Sequence, residues 1–298
     1  MREVPVNAPH VLIVGCGDLG IRLGTQLAAE GWRVSAMRRR VDPLPENFNA
    51  ITGDYTQRVD LAGLLNLQPD YVVFTPLPTA RDSAGYYQGY AAPVAQMAEL
   101  GLLSSLKGGV LVSSTRVYAQ ADGDWVDESS PLTQSDPLAA SIIEAERHFL
   151  AACAGATVLR ASGIYGEWPG MLIQRLQKGL CSPDPERISN RIHRDDLAGI
   201  MAFCLRRLEH GETNDPVYIA SDHCPSQVGE VEAWLINRLG LSVMKGAATS
   251  RLANRRCSSE LLRSAGYRFS YPDYQAGFSA LMTQHLPSDM NVSHRPKD

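Results

Sequence analysis

Residues 10–40 constrain this chain more than any other stretch: H-V-L-I-V-G-C-G-D-L-G-I-R-L-G-T-Q-L-A-A-E-G-W-R-V-S-A-M-R-R-R. The apolar run V-L-I-V at 11–14 is short enough for a fully buried strand. Gly15, Gly17 and Gly20 follow at G-x-G-x-x-G spacing. Leu19, Leu23 and Leu27 then fall at helical spacing, Gly31 supplies a C-terminal stop, and 32–37 reads as a second strand. A strand, a glycine turn, a helix and a second strand form the context in which this spacing binds a dinucleotide. Gly15 permits the tight turn, Gly17 lets backbone approach a pyrophosphate, and Gly20 lets the helix pack on the strand. The helix N-terminus adds free N–H groups and a positive dipole end. The competing reading is a glycine-rich turn without a ligand.

The end of the second strand selects the cofactor. An NAD site places Asp or Glu there for the ribose 2′-OH, whereas Arg accommodates a 2′-phosphate. No carboxylate stands between 31 and 41, and Arg38, Arg39 and Arg40 follow the strand. NADP is therefore expected ahead of NAD, with Arg38 and then Arg39 reaching the phosphate. A solvated basic turn is the alternative. Further cofactor contacts are expected from Asp18 and Leu19 in the loop and from Asp54 and Tyr55 after a short third strand at 49–53. Thr75 and Pro76, ending a fourth strand at 70–75, and Ser113, ending a fifth at 109–113, complete the set. Asp54 can accept from the adenine amino group or cap a helix predicted over 57–65.

Composition narrows the class. Of 298 residues, 44% are hydrophobic and 20% charged, and the net charge is −4, an ordinary globular balance with length for one large domain or two lobes. That balance argues against nucleic acid as a partner, and no apolar stretch approaches the roughly 20 residues of a membrane helix. The first ten residues lack an apolar signal core, so a cytoplasmic protein is expected. Six scattered cysteines form no C-x-x-C, so neither zinc nor a disulfide framework is indicated. Cys16 reads as a small filler beside the cofactor.

Further along, a helix is predicted over 84–106, with Tyr86, Tyr87 and Tyr90 near its start; most of these pack, and one can face a cofactor or a partner helix. A polar loop at 119–136 carries Trp125, Asp127 and Glu128 and is a candidate lid or substrate loop. A helix over 137–152 leads to a sixth strand at 156–160. After that the alternation weakens: a loop at 164–170, a helix over 171–179, and a strand feeding a helix at 189–198 that Asp195 or Asp196 can cap. A strand at 217–220, a helix over 225–239, a short helix over 256–263 and a frayed polar tail at 287–298 complete the chain. Six strands alternating with helices predict an α/β fold, a Rossmann-type doubly wound parallel sheet, with a smaller C-terminal substrate lobe. Right-handed crossovers put the glycine loop and 113–118 at the carboxyl edge, where ligands bind. Residues 1–165 form the expected NAD(P)-binding domain, with 189–210 returning to it, and 166–286 form most of the substrate lobe.

Five pieces carry a family resemblance as an ordered set spanning about two-thirds of the chain: the glycine loop, Gly53-Asp54, S-S-T-R-V-Y at 113–118, L-R-A-S-G-I-Y-G at 159–166 and R-I-H-R-D-D-L-A at 191–198. The chain resembles an extended short-chain dehydrogenase/reductase of the NAD(P)-dependent epimerase/dehydratase type. It is most similar to an atypical bacterial branch of sugar-nucleotide epimerase-like NAD(P)-binding proteins, on N-R-I-H-R-D-D-L-A and V-Y-I-A-S-D-H-C-P. The resemblance implies a catalytic Ser or Thr at Ser114 and a Tyr–Lys pair, as Y-x-x-x-K, at the start of the next helix. Counting back from Glu146, those two positions hold Leu138 and Ile142, and no Y-x-x-x-K lies between 119 and 155. The family's Tyr is the general acid/base and its Lys lowers the Tyr pKa and holds the nicotinamide ribose. Leu and Ile do neither.

The stand-ins available are Tyr118, four residues past Ser114; Tyr165, after the sixth strand; and His193, whose unperturbed pKa suits proton transfer. Each also reads as a packing or junction residue. Arg160 and Arg191 can hold an anionic substrate group, cap a helix end or pair with Asp195. The resemblance implies an NAD(P)-binding oxidoreductase or epimerase acting on a small or nucleotide-linked polyol or carbonyl compound, with Ser114, Tyr118 and Tyr165 as candidate catalytic residues. The absent Tyr–Lys pair motivates the alternative, a non-catalytic NADP-binding sensor or interaction module. A small-molecule substrate is the expected partner, nucleic acid and membrane are not, and a homodimer stays open.

Overall fold

Successive side chains along the first strand serve opposite layers, and that alternation organises the molecule. In the computed structural model, which describes residues 8–242 and 254–286, Val11 and Ile13 pack with Leu23, Leu27, Leu197 and Met201. Leu12 and Val14 pack on the other face with Leu61, Val94 and Phe149. Seven strands form the sheet: β1 His10–Val14, β2 Arg33–Arg38, β3 Asn49–Thr52, β4 Tyr71–Phe74, β5 Gly108–Ser114, β6 Ala156–Ala161 and β7 Val217–Ala220. Their order is 7-6-5-4-1-2-3 and every pair is parallel. β1 and β4 are buried at every position, as central parallel strands covered on both faces must be. β7 joins as a seventh strand beside β6, beyond the six expected. The strand order reverses between β1 and β4, the place where doubly wound sheets bind ligands.

Several local expectations shift. The helix predicted over 84–106 runs from Ser83 through a π turn at Tyr87–Ala91 to Glu99. Gly101 adopts φ +77°, a left-handed stop, and Leu103 and Leu106 pack under the sheet from turns instead. The expected helix over 256–263 begins as a strand: Arg256–Cys257 pairs in parallel with Trp125–Val126 and ties down the 119–136 loop, and only Glu260–Ser264 is helical. The helix predicted over 225–239 starts at Val228. The tail at 287–298 lies outside the described residues.

After residue 165 the chain returns to the sheet repeatedly. The helix Arg194–Glu209 packs against Asp18–Ala29, and Leu262, Tyr267 and Phe269 join the same layer. A separate apolar cluster gathers the helices Gly170–Gln177, Val228–Leu239 and Tyr274–His285 around Ile173, Leu235 and Phe278. The last of these was not anticipated, although Asp273 caps it by accepting from the Ala276 N–H at 2.7 Å.

Beneath the carboxyl edge lies a buried polar network. Glu146 on the helix Pro137–Ala152 receives Arg160 of β6 at 2.8 Å through Nη2, and also the hydroxyl of Ser113. Arg160 Nη1 donates to the Tyr118 hydroxyl at 3.1 Å and to the Glu128 carbonyl at 3.3 Å. A buried ion pair of this kind specifies an arrangement more than it adds net stability, while removing one partner strands a charge. Arg160→Met is expected to cost about 3–5 kcal/mol in urea unfolding, and Arg160→Met with Glu146→Leu much less than that. Equal losses in the single and double variants would show that the pair does not act as a unit.

Candidate functional site

The glycine turn is pinned to two neighbouring strand ends. Gly15 and Cys16 both donate to the Met37 carbonyl, at 3.1 and 2.9 Å, and Thr75 Oγ1 donates to the Gly15 carbonyl at 2.7 Å. Gly15 sits at φ +76°, where a Cβ would also come within 3.0 Å of the Thr75 carbonyl, so glycine is required twice over. Gly17 precedes the helix Asp18–Ala29 at φ −87°, and a Cβ there would meet only the Gly15 carbonyl, at 3.9 Å. The space over Gly17 is open, as a pyrophosphate cradle requires. At Gly20 a Cβ would press to 2.9 Å on both Cys16 Sγ and Ile13 Cγ2, so that glycine serves helix–strand packing. Burial pushes the Cys16 thiol pKa up to about 12, consistent with an inert filler.

A groove of about 540 Å³ runs from Gly15, Gly17, Asp18 and Leu19 past Thr75, Pro76 and Tyr90 to Ser113 and Ser114. A second cavity of about 890 Å³ continues from it between the sheet edge and the C-terminal elements. The two share Ser114, Ala161, Ser162, Ile164, Tyr165 and Glu167. One cleft therefore joins a dinucleotide-shaped groove to a substrate-sized chamber. Its residues fit a dinucleotide: an open glycine cradle, a helix start and a lined groove of sufficient length.

Arg38 ends β2 half-buried and Arg39 is exposed, and neither side chain makes a hydrogen bond or ion pair among the described residues. Asp54 turns inward on its own loop, its Oδ1 accepting from the Thr56 N–H at 3.0 Å and hydroxyl at 2.8 Å. The Tyr55 ring backs Gly15 and its hydroxyl exchanges 3.1 Å hydrogen bonds with the Leu77 backbone. Both support the turn. Ser113 lines the groove, but its hydroxyl is committed to Glu146. Ser114 lines both cavities while its Oγ accepts from the Arg116 N–H at 3.2 Å.

The structure places each stand-in for proton transfer in a definite setting. The Tyr118 hydroxyl is buried in the Arg160 network, and burial raises its pKa. Tyr165 presents its ring to both cavities but sends its hydroxyl away, against Gly277 of the Tyr274–His285 helix and within 3.4 Å of the Asp273 carbonyl. His193, not Asp195 or Asp196, caps the helix Arg194–Glu209, its Nδ1 accepting from the Asp195 N–H at 3.2 Å. Burial lowers its pKa and keeps it neutral, as a capping acceptor must be. Arg160 is consumed by Glu146 and does not face a substrate. Ile142, at the implied Lys position, is buried among Val117, Tyr118 and Val126, and Tyr86 and Tyr90 pack on that cluster.

Sequence reasoning passed over four residues of the cleft. Glu167 stands where the two cavities meet, Arg194 lines the groove, and Arg187 and Arg255 line the chamber beside Arg191. Tyr86 and Tyr90 stack at 5.7 Å, one in each cavity, with Tyr90 on the π turn. The arginines gave no signal beyond their charge, because loops after residue 180 and the start of the helix Arg194–Glu209 bring them in.

A Rossmann sheet with an open glycine cradle at its switch point defines a dinucleotide-binding protein, and the attached chamber gives it the layout of an enzyme of that class. Relatives narrow this further. No family model matches the chain. A solved structure described as a candidate NAD-dependent epimerase/dehydratase from Methylobacillus flagellatus is 31% identical, with a TM-score of 0.78 over 93% of this chain and 99% of that one. The chain belongs to the NAD-dependent epimerase/dehydratase family. Protein YeeZ of Escherichia coli K12 is 26% identical over 281 residues, 88% of this chain and 96% of that one. The UDP-glucose 4-epimerase of Thermus thermophilus, solved with NAD, shares the fold at a TM-score of 0.74 and 17% identity, over 90% of this chain and 96% of that one.

Two outcomes follow from the geometry. Gly17→Ala is expected to melt like wild type and to lose most of the stabilisation that saturating dinucleotide gives by mass action. Gly20→Val is expected to lower the melting temperature without ligand; a full ligand-induced shift in Gly17→Ala would place the cofactor elsewhere. The second concerns Asp222, fully buried behind Arg191, whose carboxyl burial pushes up to about 7. Its folded pKa lies above the unfolded value near 3.9, so the folded state holds a proton that the unfolded state has released, and stability falls as pH rises from about 4 to about 7. Asp222→Asn is expected to remove that slope in urea unfolding at about pH 5 and about pH 8. An unchanged difference between the two pH values would show Asp222 to be ionised in the fold.

Proposed function

We propose that this protein is a nicotinamide-dinucleotide-dependent enzyme acting on an anionic, nucleotide-linked sugar or related polyol. The observation that carries the reading is the continuity of the cleft: a chamber of about 890 Å³ opens directly on the groove that ends at the glycine turn. The anionic character rests on Arg187 and Arg191, which line the chamber with no carboxylate within ion-pair distance among the described residues. Arg187 Nε is buried without a hydrogen-bond partner. Guanidinium groups so placed match phosphate oxygens. The C-terminal elements that carry them act as the substrate-binding lobe over a cofactor-binding domain.

The dinucleotide, when bound, supplies the hydride chemistry. The chain's own part is to hold the sugar against the groove, with Ser114 at the shared wall as hydrogen-bond donor to the reacting oxygen. Proton transfer is assigned away from the helix Pro137–Ala152, whose positions 138 and 142 are apolar. Glu167 lines the groove and is a group of the right kind, whereas burial raises the Tyr90 pKa as it does that of Tyr118. NADP is preferred over NAD because Arg38 closes β2 with its guanidinium free among the described residues.

The test is to incubate the full-length protein with NAD or NADP and a panel of UDP-sugars, following sugar stereochemistry and reduced-nicotinamide absorbance. Turnover on any member supports the reading, and dinucleotide binding without turnover across the panel supports the sensor. Arg38→Glu is expected to weaken NADP by roughly 10–100-fold, the size of one charge-assisted contact, with little change for NAD. Equal affinity of wild type for both would remove the argument from Arg38.

A further inference from the structure

We infer that Arg194 is a cofactor-binding residue that closes on the dinucleotide pyrophosphate from beside the glycine turn; this rests on the dinucleotide reading above. Arg194 opens the helix Arg194–Glu209, which packs against Asp18–Ala29, so a residue remote in sequence reaches the groove beside Gly15, Gly17 and Asp18. Four charges meet there. Arg22 takes both nearby carboxylates, Asp18 at 3.1 Å and Asp195 at closer range. Arg194 is left with one long approach, Nη1 to Asp18 Oδ1 at 3.5 Å. Its side chain makes no hydrogen bond among the described residues, and its Nε is buried without a partner. A guanidinium presents five donors, and here they are unspent.

The stem of Arg194 is nonetheless held. A Cβ on Gly166 would come within 2.8 Å of Arg194 Cγ and 2.7 Å of His193 Nε2, and Gly166 sits at φ +125°, so only glycine lets the arginine lie where it does. The head group is therefore positioned but unsatisfied, on the wall of a groove whose floor is an open phosphate cradle. A two-phosphate anion supplies what is missing: oxygens in bidentate reach of the fork and charge to replace the loose contact with Asp18. Asp18 is half exposed, its side chain retaining 55% accessibility, and can turn to water when Arg194 leaves it. Asp18 thus acts as a placeholder for the phosphate.

The test is calorimetric titration of the full-length protein with NAD and NADP, alongside ligand-free melting. Arg194→Gln is expected to melt like wild type and to bind both dinucleotides roughly 10–100-fold more weakly, with a shallower salt dependence, as one lost charge-assisted contact predicts. Arg194→Lys keeps the charge without the fork and should fall between. Asp18→Asn should bind no less tightly than wild type. Wild-type affinity in Arg194→Gln, or a weakened Asp18→Asn, overturns the assignment while leaving the dinucleotide reading standing. Failure of wild type to bind either dinucleotide overturns that reading, and Arg194 with it. If Arg194→Gln melts early, Arg194→Lys at wild-type stability and wild-type affinity is the overturning result.

Discussion

The rest of the molecule depends on the latch between the glycine turn and the ends of β2 and β4. The Thr75 hydroxyl holds the Gly15 carbonyl at 2.7 Å, and the Met37 carbonyl receives the N–H groups of Gly15 and Cys16. These bonds fix the turn in the plane of the sheet edge, so the helix after it leaves at one angle. That angle lets Arg194–Glu209 lie against Asp18–Ala29 and fill the layer over Val11 and Ile13. The second helix brings its own cap, His193, and its first residue, Arg194, to the groove. A local turn thus places groups from the far half of the chain.

Much of this was legible because local chemistry and global fold agree. The glycine spacing, the V-L-I-V strand and the period of Leu23 and Leu27 each point the same way, and β1, the helix and β2 form as read. Misreadings share a physical cause: apolar periodicity does not say where a helix stops. Leu103 and Leu106 continue the pattern of the helix ending at Glu99 because the sheet beneath needs filling, whatever backbone delivers them. Arg256–Cys257 reads as the start of a helix until Trp125–Val126 offers it a pairing edge.

The candidate site was less legible than the fold. A hydroxyl's direction is decided by tertiary partners: Arg160 claims Tyr118, and the space at Gly277 claims Tyr165. Asp195 looked like the helix cap, as short acids do, but the residue with the right extended backbone was His193. Arg191 reads as a candidate holder of an anionic group, whereas Arg187 and Arg194 are charges without context until the loops and the second helix fold over the sheet edge.

Two guanidiniums that hold the fold together are matched by buried carboxylates, and the buried Arg255 is held by the Thr115 and Tyr118 carbonyls at 2.8 Å. Arg160 has Glu146 and Arg175 has Glu232. An uncompensated cation in such a place costs several kcal/mol unless something arrives to neutralise it. Arg187 and Arg191 in the chamber make no ion pair among the described residues, Arg194 in the groove has only a 3.5 Å approach to Asp18, and all three line the one continuous cleft. Leu138 and Ile142 stand where the family resemblance implies a Tyr–Lys pair, and Tyr86 and Tyr90 pack on the cluster around Ile142. An anionic ligand of the kind proposed above would complete the ion pairs that these arginines lack.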